Sequence, residues 1–470
     1  MQRRISLFIK LALALLPLCL MLPAKAQVNI RIDRSNINST SIYQDNQSLE
    51  YAAVLSVAPT INVRATNASF TKAGSLETIS PSILTVQIIG SGGQATNLLN
   101  LGSTQPAVLS TNYSSIYVSL LALLQGGLMN LRYAIPNAKA VVWKAGTYTN
   151  KLDFQLVGVN LATLKVLTNT VNISVSPFIA VDQPQQVSFA INDLNYFRNK
   201  AIPSQQQNFL IQSTVKPYLQ GRTESSTFSY TGGYAGANIP AVSAAALLAQ
   251  LKVGSNTWPV GQMSNSYRNL SPSTGHELAA GNTNNLEVSY SLSPELLKTN
   301  FMNKGSYLLN LKHLVGDAEQ AGASAQELSS TAQVVVSDMA EIKVNHTEVA
   351  LAFKTAQDYR NGVTVDLPAH FSTSATAPYD VYVQASSSNM SSGSNSIPVS
   401  ILRISAAPGN TTNVTPVTLK TTRQKLMTAM PAIDHQSNIR YSIDAAESAK
   451  LLGKPPGAYT TTVTYSMVAP

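Results

Sequence analysis

The stretch IRYSI at residues 439–443, followed by GAY at residues 457–459, decides the fold, because the chain contains this pair of segments three times. The earlier copies are VSYSL (288–292) with GSY (305–307) and LRYAI (131–135) with GTY (146–148). The first tyrosines of the copies, Tyr133, Tyr290 and Tyr441, are 157 and 151 residues apart. A repeat of this length has the size of a whole domain. The sequence therefore predicts three tandem domains of one fold rather than a solenoid of small units.

The segment that begins at each Gly-x-Tyr alternates between apolar and polar residues. In the third copy Tyr459, Val463 and Tyr465 share one face, and threonines occupy the other. Alternation with a period of two predicts a half-buried strand of an antiparallel sheet. Many short stretches of this kind, separated by Gly, Pro, Asn and Ser, predict an all-β chain. We expect three tandem immunoglobulin-like antiparallel β-sandwich domains with short helical turns.

The repeats place the domains at residues 27–163, 164–328 and 329–470, and the second has an insertion near residues 220–240. Each repeat opens on a β-rich stretch, at residues 28–32, 171–175 and 334–336. The segment from Gly316 to Ala332, rich in Ala, Ser, Gln and Glu, is the predicted linker before the third domain. Residues 241–251 are predicted to end in a strand, with a short helix as the alternative because Ala and Leu favour helix.

Residues 1–26 have the composition of a secretion signal. Arg3 and Arg4 precede an apolar run at residues 11–22, which is too short to span a bilayer comfortably, and AKA (24–26) offers small residues before a cut. An uncleaved membrane anchor is the alternative. We expect an exported protein, in the periplasm, at the cell surface or outside the cell, with no transmembrane segment after cleavage.

The only cysteine, Cys19, lies inside this signal, so the expected mature chain forms no disulfides. Its domains must then be held by hydrophobic cores alone, which fits a bacterial envelope better than an animal extracellular space. The formal charge is +9 and the signal holds four positive residues, so the mature chain has 9 − 4 = +5. Charged residues make up only 12% of the chain and form no dense basic run, which argues against a nucleic-acid partner.

The pattern of residues indicates no catalytic group, no cofactor and no metal site. The histidines have no close ligand spacing, the glycine-rich segment at residues 90–93 lacks the Lys-Ser/Thr of a phosphate loop, and the acids form no Asp-x-Asp loop. His313 lies six residues after Tyr307, where the other copies have Phe154 and Tyr465, so we expect it to replace a core aromatic. A hydrolase whose acids converge only in the fold is the remaining enzymatic alternative.

The candidate ligand-binding residues are three aromatics of the second repeat, Tyr230, Tyr234 and Trp258. The tyrosines flank a Gly-Gly turn in the insertion. Such rings predict a flat platform for sugar rings or for a partner strand, because an aromatic face buries much area at low entropic cost. The alternative is a hairpin whose aromatics pack across strands. Trp143 is expected to pack at the end of the first sandwich.

The segment PGAYTTTV at residues 456–463 resembles the closing strand of spore-coat-U-like and pilin-like secreted β-sandwich modules, which commonly end on a Gly-x-Tyr-Thr strand. The resemblance covers one strand in each repeat. The chain departs from it in having three modules and no cysteine pair. The resemblance implies modules that assemble into surface fibres or adhesins.

Together these features predict a secreted or surface-exposed, non-enzymatic structural or adhesive protein of a bacterial envelope, such as a component of a fibre. Its expected partners are other envelope or surface proteins, further copies of itself, or a glycan. In a fibre, one repeat would lack a strand and accept one from a neighbour. The alternatives are an array of carbohydrate-binding modules that uses the aromatics of the second repeat, and the hydrolase.

Overall fold

The computed structural model describes residues 27–92, 102–119, 127–166, 169–232, 234 and 239–468. The predicted signal at residues 1–26 lies outside them. Strands dominate the described residues, and the three α-helices span only seven, six and four residues. None of these helices has the length and apolar character that crossing a membrane requires. The predicted all-β class is confirmed.

The strands and helices fall into three lobes. The first lobe, residues 28–175, contains β1 (Val28–Ile32), β2 (Ile42–Ala65), β3 (Phe70–Lys72), β4 (Thr78–Ile79), β5 (Thr85–Gly92), β6 (Gly102–Thr104), β7 (Ala107–Val108), β8 (Ser114–Ser119), β9 (Gly127–Ile135), β10 (Gly146–Val166) and β11 (Thr170–Val175). The second lobe, residues 179–336, contains β12 (Ile179–Val181), β13 (Val187–Ile191), β14 (Gln205–Ser213), β15 (Pro217–Thr223), β16 (Ser229–Thr231), β17 (Leu247–Val253), β18 (Asn256–Thr257), β19 (Gly261–Gln262), β20 (Arg268–Asn269), β21 (Thr283–Leu292), α1 (Pro294–Asn300), β22 (Gly305–Asp317) and β23 (Gln326–Val336). The third lobe, residues 340–468, contains β24 (Ala340–Val344), α2 (Ala356–Asn361), β25 (Gly362–Ala375), β26 (Tyr379–Ala385), β27 (Asn389–Ser392), β28 (Asn395–Pro398), β29 (Arg403–Ala406), β30 (Val417–Thr418), β31 (Gln424–Ala429), β32 (Ala432–Asp444), α3 (Ala445–Ser448) and β33 (Val463–Val468). Short 3-10 turns lie at Pro81–Ile83, Ala138–Ala140, Leu194–Phe197, Ala244–Ala246, Ala280–Asn282, Val399–Ile401 and Ala449–Leu451.

The triplicated segments form central strands of the lobes. β9, β21 and β32 each lie between two antiparallel neighbours, and their tyrosines, Tyr133, Tyr290 and Tyr441, are buried. Each lobe has its own cluster of buried apolar residues around these rings. Full burial of one large apolar side chain contributes about 1.5–3 kcal/mol, which explains how lobes without disulfides hold together.

The lobes are two-layered. In the second lobe the sheet β12-β14-β21-β17-β18 faces the sheet β13-β23-β22-β15-β20. In the third lobe the sheet β24-β25-β32-β29-β30 faces the shorter sheet β31-β26-β33. In the first lobe the long strands β2 and β10 belong to both layers and join them into one continuous sheet.

The β-rich stretches that open the second and third repeats in the sequence belong to the lobes before them. β11 pairs with β10, and β23 pairs with β22, so the strands of the first two lobes end at Val175 and Val336 rather than at residues 163 and 328. The segment from Gly316 to Ala332 is not a linker. It holds the end of β22, a turn and the start of β23.

Residues 241–251 contain both structures that the sequence allowed. A 3-10 turn at Ala244–Ala246 begins after Ser243, whose side chain accepts from the Ala245 N–H, and β17 follows from Leu247. The predicted strand at the end of this stretch is confirmed.

Candidate strand-acceptor groove

In the first two lobes a closing strand, β11 or β23, fills the gap between two neighbouring edges. β23 runs antiparallel to β22 and parallel to β13, so that Val334 lies opposite both Tyr307 and Phe189. β11 lies in the same way between β10 and β1. The closing strand satisfies the backbone groups of both edges, and its alternate side chains cover the core.

No closing strand is present in the third lobe over the range 340–468 that the structure describes. β33 pairs with β26 on one side only. Residues 346–353 follow β24 as β13 follows β12, but they form no regular strand. The strand that follows the repeated glycine is also shorter in the third lobe. β22 begins at its Gly305, whereas β33 begins only at Val463, six residues after the equivalent Gly457.

The inward side chains of the third lobe show the absence of this cover. On β22 they are buried, whereas their counterparts, within four residues either side of Val463, are half-buried. The buried residues are Tyr307, Leu309, Leu311, His313 and Val315, and the half-buried ones are Tyr459, Thr461, Val463, Tyr465 and Met467. The same contrast separates Val187, Phe189 and Ile191, which are buried, from Val349, Leu351 and Phe353, which are half-buried.

The uncovered gap is a groove of about 1150 Å³. Residues 344–353 line one side of it and residues 454–465 the other, with Leu402, Tyr441 and Ile443 also contributing. The volume exceeds the roughly 300–1,000 Å³ of most small-molecule pockets. Residues 346–353 and 454–465 face each other across the groove, and Val463 and Tyr465 belong to the free edge of β33, so the groove can hold an extended peptide.

Aromatic and imidazole rings at one part of the groove add polar groups to an otherwise apolar lining. The hydroxyls of Tyr441 and Tyr465 are 2.7 Å apart, and Nε2 of His370 lies 3.4 Å from the Tyr441 hydroxyl. The rings of His346 and His370 stack with centroids 5.9 Å apart. Burial, and then the neighbouring His346, lowers the pKa of His370 to about 4, so this imidazole is neutral at neutral pH.

This arrangement provides the two elements of strand recognition. A free strand edge offers backbone N–H and C=O groups, which an added strand pairs with regardless of its sequence. The half-buried Val349, Leu351 and Phe353 lie on one side of the groove and Val463 and Tyr465 on the other, where the alternate side chains of an added strand would pack against apolar surface.

The predicted platform tyrosines lie beside the first residues of β22 in the second lobe. The ring of Tyr230 packs on Tyr307 with centroids 4.7 Å apart, and its hydroxyl donates to the carbonyl of Lys304. The Tyr234 hydroxyl donates to Oδ1 of Asn303 over 3.2 Å. Both side chains are half-buried, so each supports the start of β22 while keeping part of its ring exposed.

Trp258 lies on the opposite sheet of the same lobe. It follows β18, which pairs with β17, and its ring meets His276 edge-on with centroids 5.3 Å apart. The structure therefore groups the two tyrosines and places Trp258 on a different sheet.

Two further sequence predictions are confirmed. His313 is fully buried, lies 4.8 Å from Phe209 between ring centroids, and has its Nε2 2.6 Å from the Tyr290 hydroxyl. Burial lowers its pKa to about 3. Trp143 is fully buried at the end of the first lobe, where its Nε1 donates to the carbonyl of Ala138.

Across the described residues, no group of three or more His, Cys, Asp or Glu side chains is arranged to hold a metal ion. The salt bridges within the third lobe pair single acids with single bases, such as Arg440 with Asp366 at the surface and Lys425 with the buried Asp380.

No family model matches the sequence, and no curated protein sequence matches it. Similar solved structures include the tip adhesion subunit CsuE with its chaperone CsuC, from archaic chaperone-usher pili of Acinetobacter baumannii, at 14% identity and a TM-score of 0.29, over 62% of this chain and 99% of that one. The CfaE adhesive subunit of CFA/I fimbria of enterotoxigenic Escherichia coli has 10% identity and a TM-score of 0.28, over 66% and 97%. The CupB6 tip adhesin of Pseudomonas aeruginosa has 8% identity and a TM-score of 0.26, over 63% and 90%. At these scores the likeness adds nothing to the argument on function, which rests on the groove.

The groove residues were not identified from the sequence. The signal in the sequence is the β-rich stretch at the start of each repeat, which by its position fits the repeat that follows it as well as the one before. If each such stretch closes the repeat before it, the stretches at 171–175 and 334–336 close the first two repeats.

Proposed function

We propose that the protein is an exported, non-enzymatic subunit of an adhesive surface fibre, and that its third lobe is completed by a strand from another chain. The observation that carries this proposal is the open groove between residues 346–353 and β33, at the place where the first two lobes hold a closing strand. The strands of the first two lobes are all engaged within those lobes, so the described part of the chain has no spare strand to offer.

The first two lobes indicate what the donated strand looks like. Where β23 faces the core, every second residue from Ala332 to Val336 is apolar, and β11 has the same pattern from Val171 to Val175. The expected donor is a strand with at least three alternating apolar residues that runs antiparallel to β33. Pairing in this way satisfies backbone groups and removes the half-buried side chains of the groove from water.

The chain provides its own test strand. In the alignment of β22 with β33, Pro470 holds the place of Ala318, so residues 319–336 added after Pro470 supply the native turn and closing strand in phase. We expect this extension to raise the midpoint of thermal unfolding of the third lobe and to slow amide exchange at residues 459–468. The matched control is the same extension with Val334→Asp, which places a charge where an apolar residue meets the core.

Equal unfolding midpoints and equal exchange for the two extensions would contradict the proposal. A peptide of residues 326–336 added to the unextended chain gives an independent measurement, since saturable one-to-one binding raises stability by mass action.

A further inference from the structure

Two of the three lobe ends in this chain are already docked onto a following lobe, and both joints use the same backbone contacts. Thr214 and Thr376 are fully buried, and each hydroxyl donates over 2.8 Å to the connecting segment, to the carbonyl of Ser176 or Ser337. Their carbonyls accept from the residue before the repeated glycine of the preceding lobe, Ala145 over 2.8 Å and Lys304 over 2.7 Å. The joint is therefore a repeated structure, like the lobes themselves.

The joint between the second and third lobes adds an arginine cluster. Nη2 of Arg198, at the end of the second lobe, lies 2.6 Å from Oε1 of Glu341 and 2.8 Å from Oδ1 of Asp434 in the third lobe. The same nitrogen donates to Oγ of Ser374 over 3.2 Å. The hydrogen bond from Arg198 lowers the pKa of Asp434, so the acid stays charged. Asp434 reaches back to the second lobe from a left-handed backbone conformation, with φ of 54°.

Arg360 occupies the position in the third lobe that Arg198 occupies in the second. Arg198 follows Ile191 by seven residues across a short 3-10 turn, and Arg360 follows Phe353 by seven residues across α2. The turn at Leu194–Phe197 packs against α1, and α2 packs against α3. Arg360 is exposed, and no acid among the described residues forms a salt bridge with it, whereas Arg198 has two.

The backbone contact of the joint has no counterpart at this end of the third lobe. Pro456 stands where Ala145 and Lys304 donate their N–H groups, and proline has no N–H. A domain docked at this end of the third lobe therefore lacks one backbone hydrogen bond of the internal joints. The guanidinium of Arg360 remains as the polar group that this end has in common with the joint at Arg198.

We propose that Arg360 is a docking residue for the chain that completes the third lobe, and that it binds an acidic pair on the sandwich domain adjoining the donated strand. The pair corresponds to Glu341, in the first strand of its lobe, and to Asp434, near the start of β32. This inference rests on the proposed function, because it requires that a strand fills the groove. Two carboxylates around one planar guanidinium fix orientation as well as attraction, so Arg360 sets the angle between subunits.

The test uses a tandem chain, in which residues 319–470 follow Pro470 as a second copy. The closing strand at the start of the second copy then fills the groove of the third lobe in the first copy. Glu341 and Asp434 of the second copy come to face Arg360 of the first. Spin labels are attached to cysteines that replace the exposed Thr421 in both copies, with Cys19→Ser to remove the only native thiol. The measured quantity is the width of the distance distribution between the labels.

We expect Arg360→Ser in the first copy to broaden the distribution at least twofold. The matched control is Lys420→Ser, which removes an exposed positive charge of the same lobe that forms no salt bridge within the described residues. We expect it to leave the width unchanged. Arg360→Glu in the first copy, combined with Glu341→Arg and Asp434→Arg in the second, is expected to restore the narrow distribution.

An unchanged width in Arg360→Ser, or no recovery in the charge-exchanged chain, overturns the docking role. Amide exchange at residues 459–468 separates this failure from failure of the proposed function. Slow exchange in all variants means that the strand is in place and only the docking residue is wrong, whereas fast exchange in the tandem chain means that the groove takes no strand and overturns both.

Discussion

The second and third lobes have the same central strands but differ in how far their cores are closed. Around Tyr307 the inward residues of β22 are buried under β23, whereas the equivalent residues around Tyr459 remain half-buried. The sequences of β22 and β33 both alternate, so the difference does not arise in the strands themselves. It arises from one additional strand, which shows that a sandwich edge can be folded in every local respect and still lack a neighbour.

The largest expected effect tests this difference in core closure directly. Phe189→Ala removes a buried ring from β13 and should lower the free energy of unfolding of the second lobe by about 4 kcal/mol. Leu351→Ala, at the equivalent position of the third lobe, should cost only about 1 kcal/mol, because that side chain is half-exposed. Denaturant unfolding followed by amide exchange measures each lobe. Ser188→Ala, on the exposed face of β13, is the control, and similar costs at the two sites would contradict the contrast.

The second effect is a dependence of the second lobe on pH. Burial holds the pKa of His313 near 3, below its value in the unfolded chain, so the unfolded state binds more protons at acidic pH. Stability is therefore complete above about pH 6.5 and falls as the pH drops toward 3, at no more than about 1.4 kcal/mol per pH unit. His313→Phe, which introduces the residue of the first lobe, should flatten this slope in thermal unfolding measured from pH 7 to pH 4.

Tyr290→Phe is the matched control for that slope. It removes the same hydrogen bond to Nε2 of His313 but leaves the titrating imidazole in place, so the variant should lose stability and keep the pH dependence. A slope that disappears in Tyr290→Phe and persists in His313→Phe would exclude His313 as its source.

A smaller effect concerns the joint. Arg198→Ser should loosen the connection between the second and third lobes, with a cost of about 1 kcal/mol or less, since its ion pairs are partly exposed to solvent. Limited proteolysis at residues 337–339 should become faster, and the cleavage rate of the wild-type protein at high salt should approach that of the variant. Arg360→Ser in the unextended chain should leave the cleavage rate unchanged at low and at high salt. An equal effect of both substitutions would remove the distinction between a docked and a free arginine.

The smallest expected effect is on the aromatic residues of the second lobe. Tyr234→Ala removes one hydrogen bond to Asn303 from a half-buried ring and should change stability by less than about 1 kcal/mol. A glycan array distinguishes a sugar platform from packing. Binding that Tyr234→Ala abolishes would support the platform, and a wild-type protein that binds no glycan would exclude it.

Period-two alternation and equivalent positions in the repeats were sufficient to predict the strands, the all-β class and the burial of His313. Trp143 was predicted to pack from its place just before Gly146, at the end of the first repeat. Alternation could not predict which sheet a strand joins. Val171–Val175 and Val334–Val336 look alike whether they open one lobe or close another, since alternation fixes the faces of a strand but not its partners.

The groove was beyond sequence reasoning for the same reason. His346, His370 and Tyr441 lie far apart in the chain. His346 comes beside His370 because β24 pairs with β25, and Tyr441 comes beside His370 because β25 pairs with β32 through a bulge. The sequence allowed the general expectation that one repeat lacks a strand. It did not indicate which repeat, because that requires the pairing partners of β11 and β23.

The short connection between lobes has a mechanical consequence. β23 pairs along residues 326–336 with β22, pairs along residues 332–336 with β13, and passes into β24 after only Ser337–Met339. A pulling force on the ends of the chain therefore acts on β23 at Val336 and shears its hydrogen bonds to β22 and β13 at the same time. Hydrogen bonds loaded together in shear resist tension better than bonds peeled one at a time, and a groove filled by a donated strand would transmit load in the same way.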